Sequence, residues 1–260
     1  MIVNRSLNAM AIFNNQLHTS MLLLTVKALP SIVILLITTA SWNAMPKAQG
    51  EDAPVWQSLE TKGKPHARHE AAFIQVKQRF YLLGGRGIKP VDVLDPATGA
   101  WTTGARPPLE IHHFQPVVWQ NRILIAGAMT GPYPHETSLE GILIYDPEVD
   151  IFDTGTRKWS TLPSPEGDLP TPRAGCFNYV LNATLLVAGG ESTTQKEAHN
   201  EVEAFDPETQ TWHLASKLKQ GRHGTGITMW QNNIYSCAGC AQRGGSPELN
   251  TTEYLPVKTR

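Results

Sequence analysis

The chain has 260 residues, 41% apolar and 17% charged, with a formal net charge of −1. That describes a globular protein with a large core, and it excludes a general electrostatic pull toward nucleic acid or acidic membranes. The 21 glycines and 19 prolines suit a turn-rich β protein better than a helical one.

In chain order, the N-terminus is a separate object. An apolar run from Ala28 to Ala40, preceded by Lys27, has the length of a signal-peptide core, with "TTA" at its end as a small-residue cleavage site. Residues 1–40 are therefore expected to be a leader and 41–52 a linker. Met21 offers a start that would shorten the leader. Left uncleaved, Met21 to Ala40 would nearly span a bilayer and anchor the chain. The expected location is outside the cytoplasm, periplasmic or secreted, with membrane attachment only in the uncleaved form.

From residue 53 onward the sequence repeats. Four β-rich runs end in small residues: "RFYLLGG" (79–85), "RILIAGA" (122–128), "TLLVAGG" (184–190) and "NIYSCAG" (233–239). Three alternating segments then lead through a turn to a tryptophan: "VDVLDPATGAW" (91–101), "VDIFDTGTRKW" (149–159) and "VEAFDPETQTW" (202–212). In each, an Asp stands six residues before the Trp. Alternation predicts half-buried strands, and the Asp-Pro and Gly-rich stretches predict chain reversals. Each unit thus predicts a four-stranded antiparallel sheet, which buries both faces only by stacking on its neighbours.

The diglycine, the "VDVLDP" strand and the spaced Trp resemble the kelch repeat, and the resemblance covers residues 56–255. More narrowly, the chain is similar to exported bacterial kelch proteins of the galactose-oxidase-like propeller superfamily. The resemblance implies an all-β kelch-type β-propeller over 53–260. The units fall at 66–101, 112–159, 172–212 and 222–256. The last lacks an outer strand, and "APVWQSL" (53–59), with Trp56, is expected to complete it and leave no open edge. The second unit stutters. It runs 31 residues from Ala128 to Trp159, against 16 and 22 in the first and third, and carries two third-strand segments, "ILIYDP" and "VDIFDT". The expectation is a junction at which whole blades have been lost.

Functional side chains are expected where the units open: "ARHEAAF" (67–73), "EIHHFQP" (110–116), "PRAGCF" (172–177) and "GRHGTG" (221–226). Arg68, His113, Arg173 and Arg222 fall at similar positions, with His69, His112 and His223 beside them. Arg86, Glu191 and Arg243, from loops after the second strands, should face the same mouth. An Arg and His ring suits an anionic or polar ligand, because a guanidinium is a planar fork of donors. The alternative is that Arg68, Arg173 and Arg222 brace the scaffold through backbone carbonyls.

No cofactor and no metal is expected. His112 and His113 are adjacent, so an extended strand would point them apart. The oxidase's copper ligands do not map onto this chain. Among three cysteines, Cys176, Cys237 and Cys240, at most one bridge can form. Two function classes follow. The first is a binding propeller for a glycan or a protein partner. The second, implied by similarity to exported kelch propellers that act as sialic-acid epimerases, is a carbohydrate-acting enzyme with Glu70, Glu110 or Glu191 as base beside His69 or His113.

Overall fold

The computed structural model describes residues 56–148, 159–162 and 164–257. The leader and linker expected over 1–52, and most of the second third-strand segment of the stuttering unit, lie outside them. The unit from Gln57 onward is compact and, among the described residues, holds four sheets of the repeating kind and one small extra sheet.

Blade 1 runs β1 (Ala71–Val76), β2 (Arg79–Gly84), β3 (Asp92–Asp95) and β4 (Ala100–Thr103), paired in that order. Next comes the short strand β5 (Ile111–His112). Blade 2 follows with β6 (Val117–Trp119) and β7 (Arg122–Ile125), then an excursion through β8 (Met129–Thr130) and β9 (Thr137–Ser138), then β10 (Leu143–Tyr145) and β11 (Trp159–Thr161). Strands β5, β8 and β9 form the extra sheet. Blade 3 is β12 (Phe177–Leu181), β13 (Thr184–Ala188), β14 (Glu201–Asp206) and β15 (Thr211–Lys217); blade 4 is β16 (Ile227–Trp230), β17 (Asn233–Cys237) and β18 (Thr252–Pro256).

Local chemistry explains these elements. The inner hairpins of blades 2, 3 and 4 turn on Gln120–Asn121, Asn182–Ala183 and Gln231–Asn232, all at positive φ. That is the tight turn whose twist matches paired strands. The recurrent Asp closes the outer turn. Asp95 Oδ1 accepts the backbone N–H groups of Ala97 and Thr98, and Asp206 Oδ1 those of Glu208 and Thr209. At the diglycine, Gly189 has φ +61°, and a Cβ there would lie 2.3 Å from the Arg222 carbonyl oxygen of the next blade.

The stacking rule is visible in β7. Ile123 and Ile125 join the core shared with blade 1, while Leu124 and Ala126 join the core shared with blade 3. In blades 2 and 3 the outer-strand tryptophan covers the seam with the preceding blade: Trp159 lies in the first core and Trp212 packs against the second. In the stuttering unit, "LIY" of the first segment is the blade's third strand, pairing with β7 and β11.

The ends correct one expectation. Among the described residues blade 4 has three strands, and β18 has no outer partner. Gln57–Glu60 form no strand, and Lys62 instead bridges Ala100 on the edge of blade 1 in parallel. Where an outer-strand Trp would cover the seam of blades 3 and 4 there is an apolar groove of about 350 Å³, lined by Leu186, Val202, Ile227, Ile234 and Leu255. Among the described residues the two end faces are also uncovered. Phe73 on blade 1 and Tyr254 on blade 4 are 58% and 65% exposed, and no apolar cluster joins these blades among the described residues.

Candidate functional site

The inner strands start at a common mouth. At one repeat position the chain adopts a left-handed conformation in every blade: Glu70 (φ 55°), His113 (52°), Gly175 (62°) and Gly224 (67°). Backbone bonds link these turns, from Gly175 N–H to His113 O (2.9 Å) and from Gly224 N–H to Gly175 O (3.3 Å). Gln115 Nε2 donates across to Thr225 O at 2.9 Å, so blades 2 and 4 meet at the channel start.

This alignment resets the register expected from sequence. Two residues before each left-handed turn stand Arg68, Ile111, Arg173 and Arg222, so blade 2 carries Ile111, not His113, at the arginine position. The three arginines sit within the blades. Arg173 and Arg222 are completely buried. Each donates to the carbonyl of a small residue at the end of its second strand or just past it: Gly84 (3.0 Å), Gly189 (2.6 Å) and Ala238 (2.9 Å). Each also pairs with an acid on its third strand: Arg68 with Asp92 (2.5 Å), Arg173 with Glu203 (2.6 Å) and Arg222 with Glu253 (2.5 Å). These guanidinium groups brace strands, and their side chains are at most 2% exposed, so they do not face a ligand at the mouth. Sequence reasoning passed over Asp92, Glu203 and Glu253, although the recurring acid in "VDV", "VEA" and "TEY" was a usable signal.

The remaining residues fall into two clusters. In the first, Arg86 Nε donates to Glu70 Oε2 at 2.6 Å, and its Nη1 reaches Glu136. His112, completely buried, and His113 approach Nδ1 to Nδ1 at 2.7 Å. Glu70 Oε2 lies 3.6 Å from His112 Nδ1 and 3.4 Å from His113 Nδ1. The expectation that these adjacent histidines point apart is therefore overturned: positive φ at His113 breaks the strand alternation and swings its ring beside its neighbour's. Burial pushes the His112 pKa down, and the charges of Arg86 and His113 add to this. Burial pushes Glu70 up, but its bond from Arg86 and the nearby histidines prevail and hold it below the usual carboxylate value. His69 stands at the cluster's edge, its side chain 72% exposed and its Nε2 4.0 Å from Glu70 Oε1. Glu110 Oε1 is 3.8 Å from His112 Nε2.

The second cluster lies on blades 3 and 4. Glu191 accepts the Gly244 N–H at 2.8 Å and faces His223 Nδ1 at 3.5 Å, while His223 Nε2 meets Gln242 O at 2.8 Å. Arg243 Nη1 donates to Thr193 O at 3.2 Å on an exposed loop. Between the clusters runs an open groove of about 620 Å³, lined by His113, Gln115, Glu191, His223, Thr225 and Cys240 among others. All three cysteines are free; buried Cys176 has its thiol pushed up to about 11 by desolvation, so it is no nucleophile.

Residues 31–239 match the family model of the KLHDC2/KLHL20/DRC7 Kelch-repeats domain. The chain belongs to the kelch-repeat family. Curated relatives of this kelch chain include acyl-CoA-binding domain-containing protein 4 of Arabidopsis thaliana, 26% identical over 64% of this chain and 24% of that protein. The Kelch-like protein terF of Aspergillus terreus is 25% identical over 83% and 49%, and Kelch-like protein 40 of Xenopus tropicalis 24% over 68% and 28%. The kelch chain thus spans half the length of these relatives or less. Among solved structures, that of YjhT superposes with a TM-score of 0.58 at 17% identity, covering 77% of this chain and 69% of the other. That likeness supports the propeller fold alone.

Proposed function

We propose that this kelch propeller is a binding module whose mouth takes a polar segment of a protein partner. The observation that carries this reading is the burial of Arg68, Arg173 and Arg222 in internal ion pairs. Without them the mouth is mixed in sign. Arg86 is balanced by Glu70 and Glu136, and the groove itself presents His113, Gln115, Glu191 and His223. Donors and acceptors interleaved along an open groove suit a peptide backbone and its polar side chains, whereas an acidic sugar wants unpaired cations. The expected leader over 1–40 supports the reading that the partner is an extracytoplasmic one.

Peptide-library selection against the purified chain, paired with a thermal-shift screen of acidic sugars, tests this. Selected peptides are expected to lose affinity on Gln115→Ala or Glu191→Ala. A stabilising shift by acidic sugars, with no peptide selected, would overturn it. One observation favours the enzymatic reading instead. Glu70 and His113, a carboxylate and an imidazole 3.4 Å apart, are the pair a sugar epimerisation needs. Faster anomer interconversion by NMR, abolished in Glu70→Gln, would establish it.

A further inference from the structure

We propose that Glu70, His112 and His113 bind a divalent transition-metal ion of the zinc class. The site is independent of whether the mouth binds a partner. Its three ligating side chains come within 4.8 Å of one another. The distances among His112 Nδ1, His113 Nδ1 and Glu70 Oε2 are 2.7, 3.4 and 3.6 Å. The centre of that triangle is about 1.9 Å from each atom. An ion slightly out of the plane therefore reaches all three at about 2.0–2.1 Å, the usual zinc–nitrogen and zinc–oxygen bond length. Two imidazoles and a carboxylate are a donor set suited to zinc, cobalt, nickel or copper rather than calcium or magnesium.

The surroundings support it. His112 Nε2 faces the Gly131 carbonyl at 3.4 Å. A proton held there leaves Nδ1 as a lone pair aimed into the cluster, and an outer partner of that kind is what a metal-ligating histidine ordinarily has. Glu110 and Glu136 stand 3.8 and 3.9 Å from the same Nε2. Three carboxylates against one guanidinium, that of Arg86, leave room for two positive charges. The proton between the two Nδ1 atoms moves to His113 Nε2 when the ion binds, so neutral histidines bind without releasing it. His113 has its side chain 39% exposed and borders the open groove. A fourth coordination position therefore faces solvent.

A second observation is the backbone. The left-handed position is glycine in blades 3 and 4 and glutamate or histidine in blades 1 and 2. Side chains held in that conformation are strained, and such strain concentrates where a side chain has a task. Here the two non-glycine residues supply two of the three ligands.

Titration of the chelator-stripped full chain with zinc chloride by calorimetry, and with cobalt(II) by visible absorption, tests the site. One ion per chain and d–d bands of low symmetry are expected. Glu70→Gln and His113→Gly should each weaken zinc binding about tenfold or more. His113→Gly copies blades 3 and 4, so its fold should survive, as circular dichroism would verify. His69→Ala should bind zinc as the parent does. Absence of a one-to-one complex would overturn the proposal. So would zinc binding that persists in both ligand variants, or that disappears in a Cys237→Ser, Cys240→Ser double variant.

Discussion

Blades 2 and 3 solve one packing problem in opposite ways. Blade 3 places Arg173 and Glu203 as a buried ion pair between its inner and third strands. At the same two positions blade 2 places Ile111 and Leu143, both completely buried in the core shared with blade 1. The backbone is the same kind of sheet in each. A buried ion pair and a well-packed apolar pair are often close in net stability, because desolvation consumes much of the Coulombic gain. The lesson is that the repeating arginine belongs to the scaffold. A ligand site has to be sought among residues that do not repeat.

The largest effect comes from breaking the ion pair on one side. Arg173→Met leaves Glu203 buried without a counter-charge and should cost about 3–5 kcal/mol in denaturant unfolding. The double change Arg173→Ile, Glu203→Leu, which writes blade 2 into blade 3, should recover most of that. If it did not, the equivalence of the two solutions would fail.

Blade 4 sharpens the comparison through pH. Burial raises the Glu253 pKa, but bonds from the Lys219 N–H, the Arg222 side chain and the Gln220 N–H outweigh it and leave the group below its ordinary value. A depressed carboxylate contributes stability above its unfolded pKa and loses it as pH falls through the folded one. The parent should therefore lose stability below about pH 4.5, the ordinary glutamate range. Glu253→Gln should start less stable and show a flatter acid limb in urea melts across that window.

Next in size is the left-handed turn. His113→Gly relieves about 1–2 kcal/mol of backbone strain, while added freedom in the unfolded chain returns about 0.5–1 kcal/mol. A net gain of about 0.5–1 kcal/mol in metal-free buffer is expected from the midpoint of thermal unfolding. Glu70→Gly relieves the same strain but also removes the bond from Arg86, so its net gain should be smaller.

The outer turns give an effect of the same order. Asp95→Ala removes the acceptor for the Ala97 and Thr98 N–H groups. A loss of about 0.5–1.5 kcal/mol is expected. A larger loss would show that the turn also sets the Trp101 position.

Much of this was legible before any coordinates. Alternation and the Asp-to-Trp spacing predicted the blades, because a half-buried strand and a side-chain-capped turn are local devices. The arginine register was misplaced by two residues in blade 2, since Ile111 and Leu143 carry no charge to mark the position. His112 and His113 were expected to diverge, and only the φ of His113 shows that they converge. The strand expected at 53–59 was inferred from an unfilled edge, which says that a partner would fit without saying that one is bound.

By itself, then, the sequence determined the repeat, its strands and turns, and which faces had to be covered, because periodicity and turn chemistry act within a few residues. The tertiary structure decided which polar groups cancel one another and which face the mouth. Arg173 and Glu203 are 30 residues apart, and Glu70 lies more than 40 residues from His112 and His113. Only the stacking of blades settles whether such groups pair inside a sheet or meet at its rim.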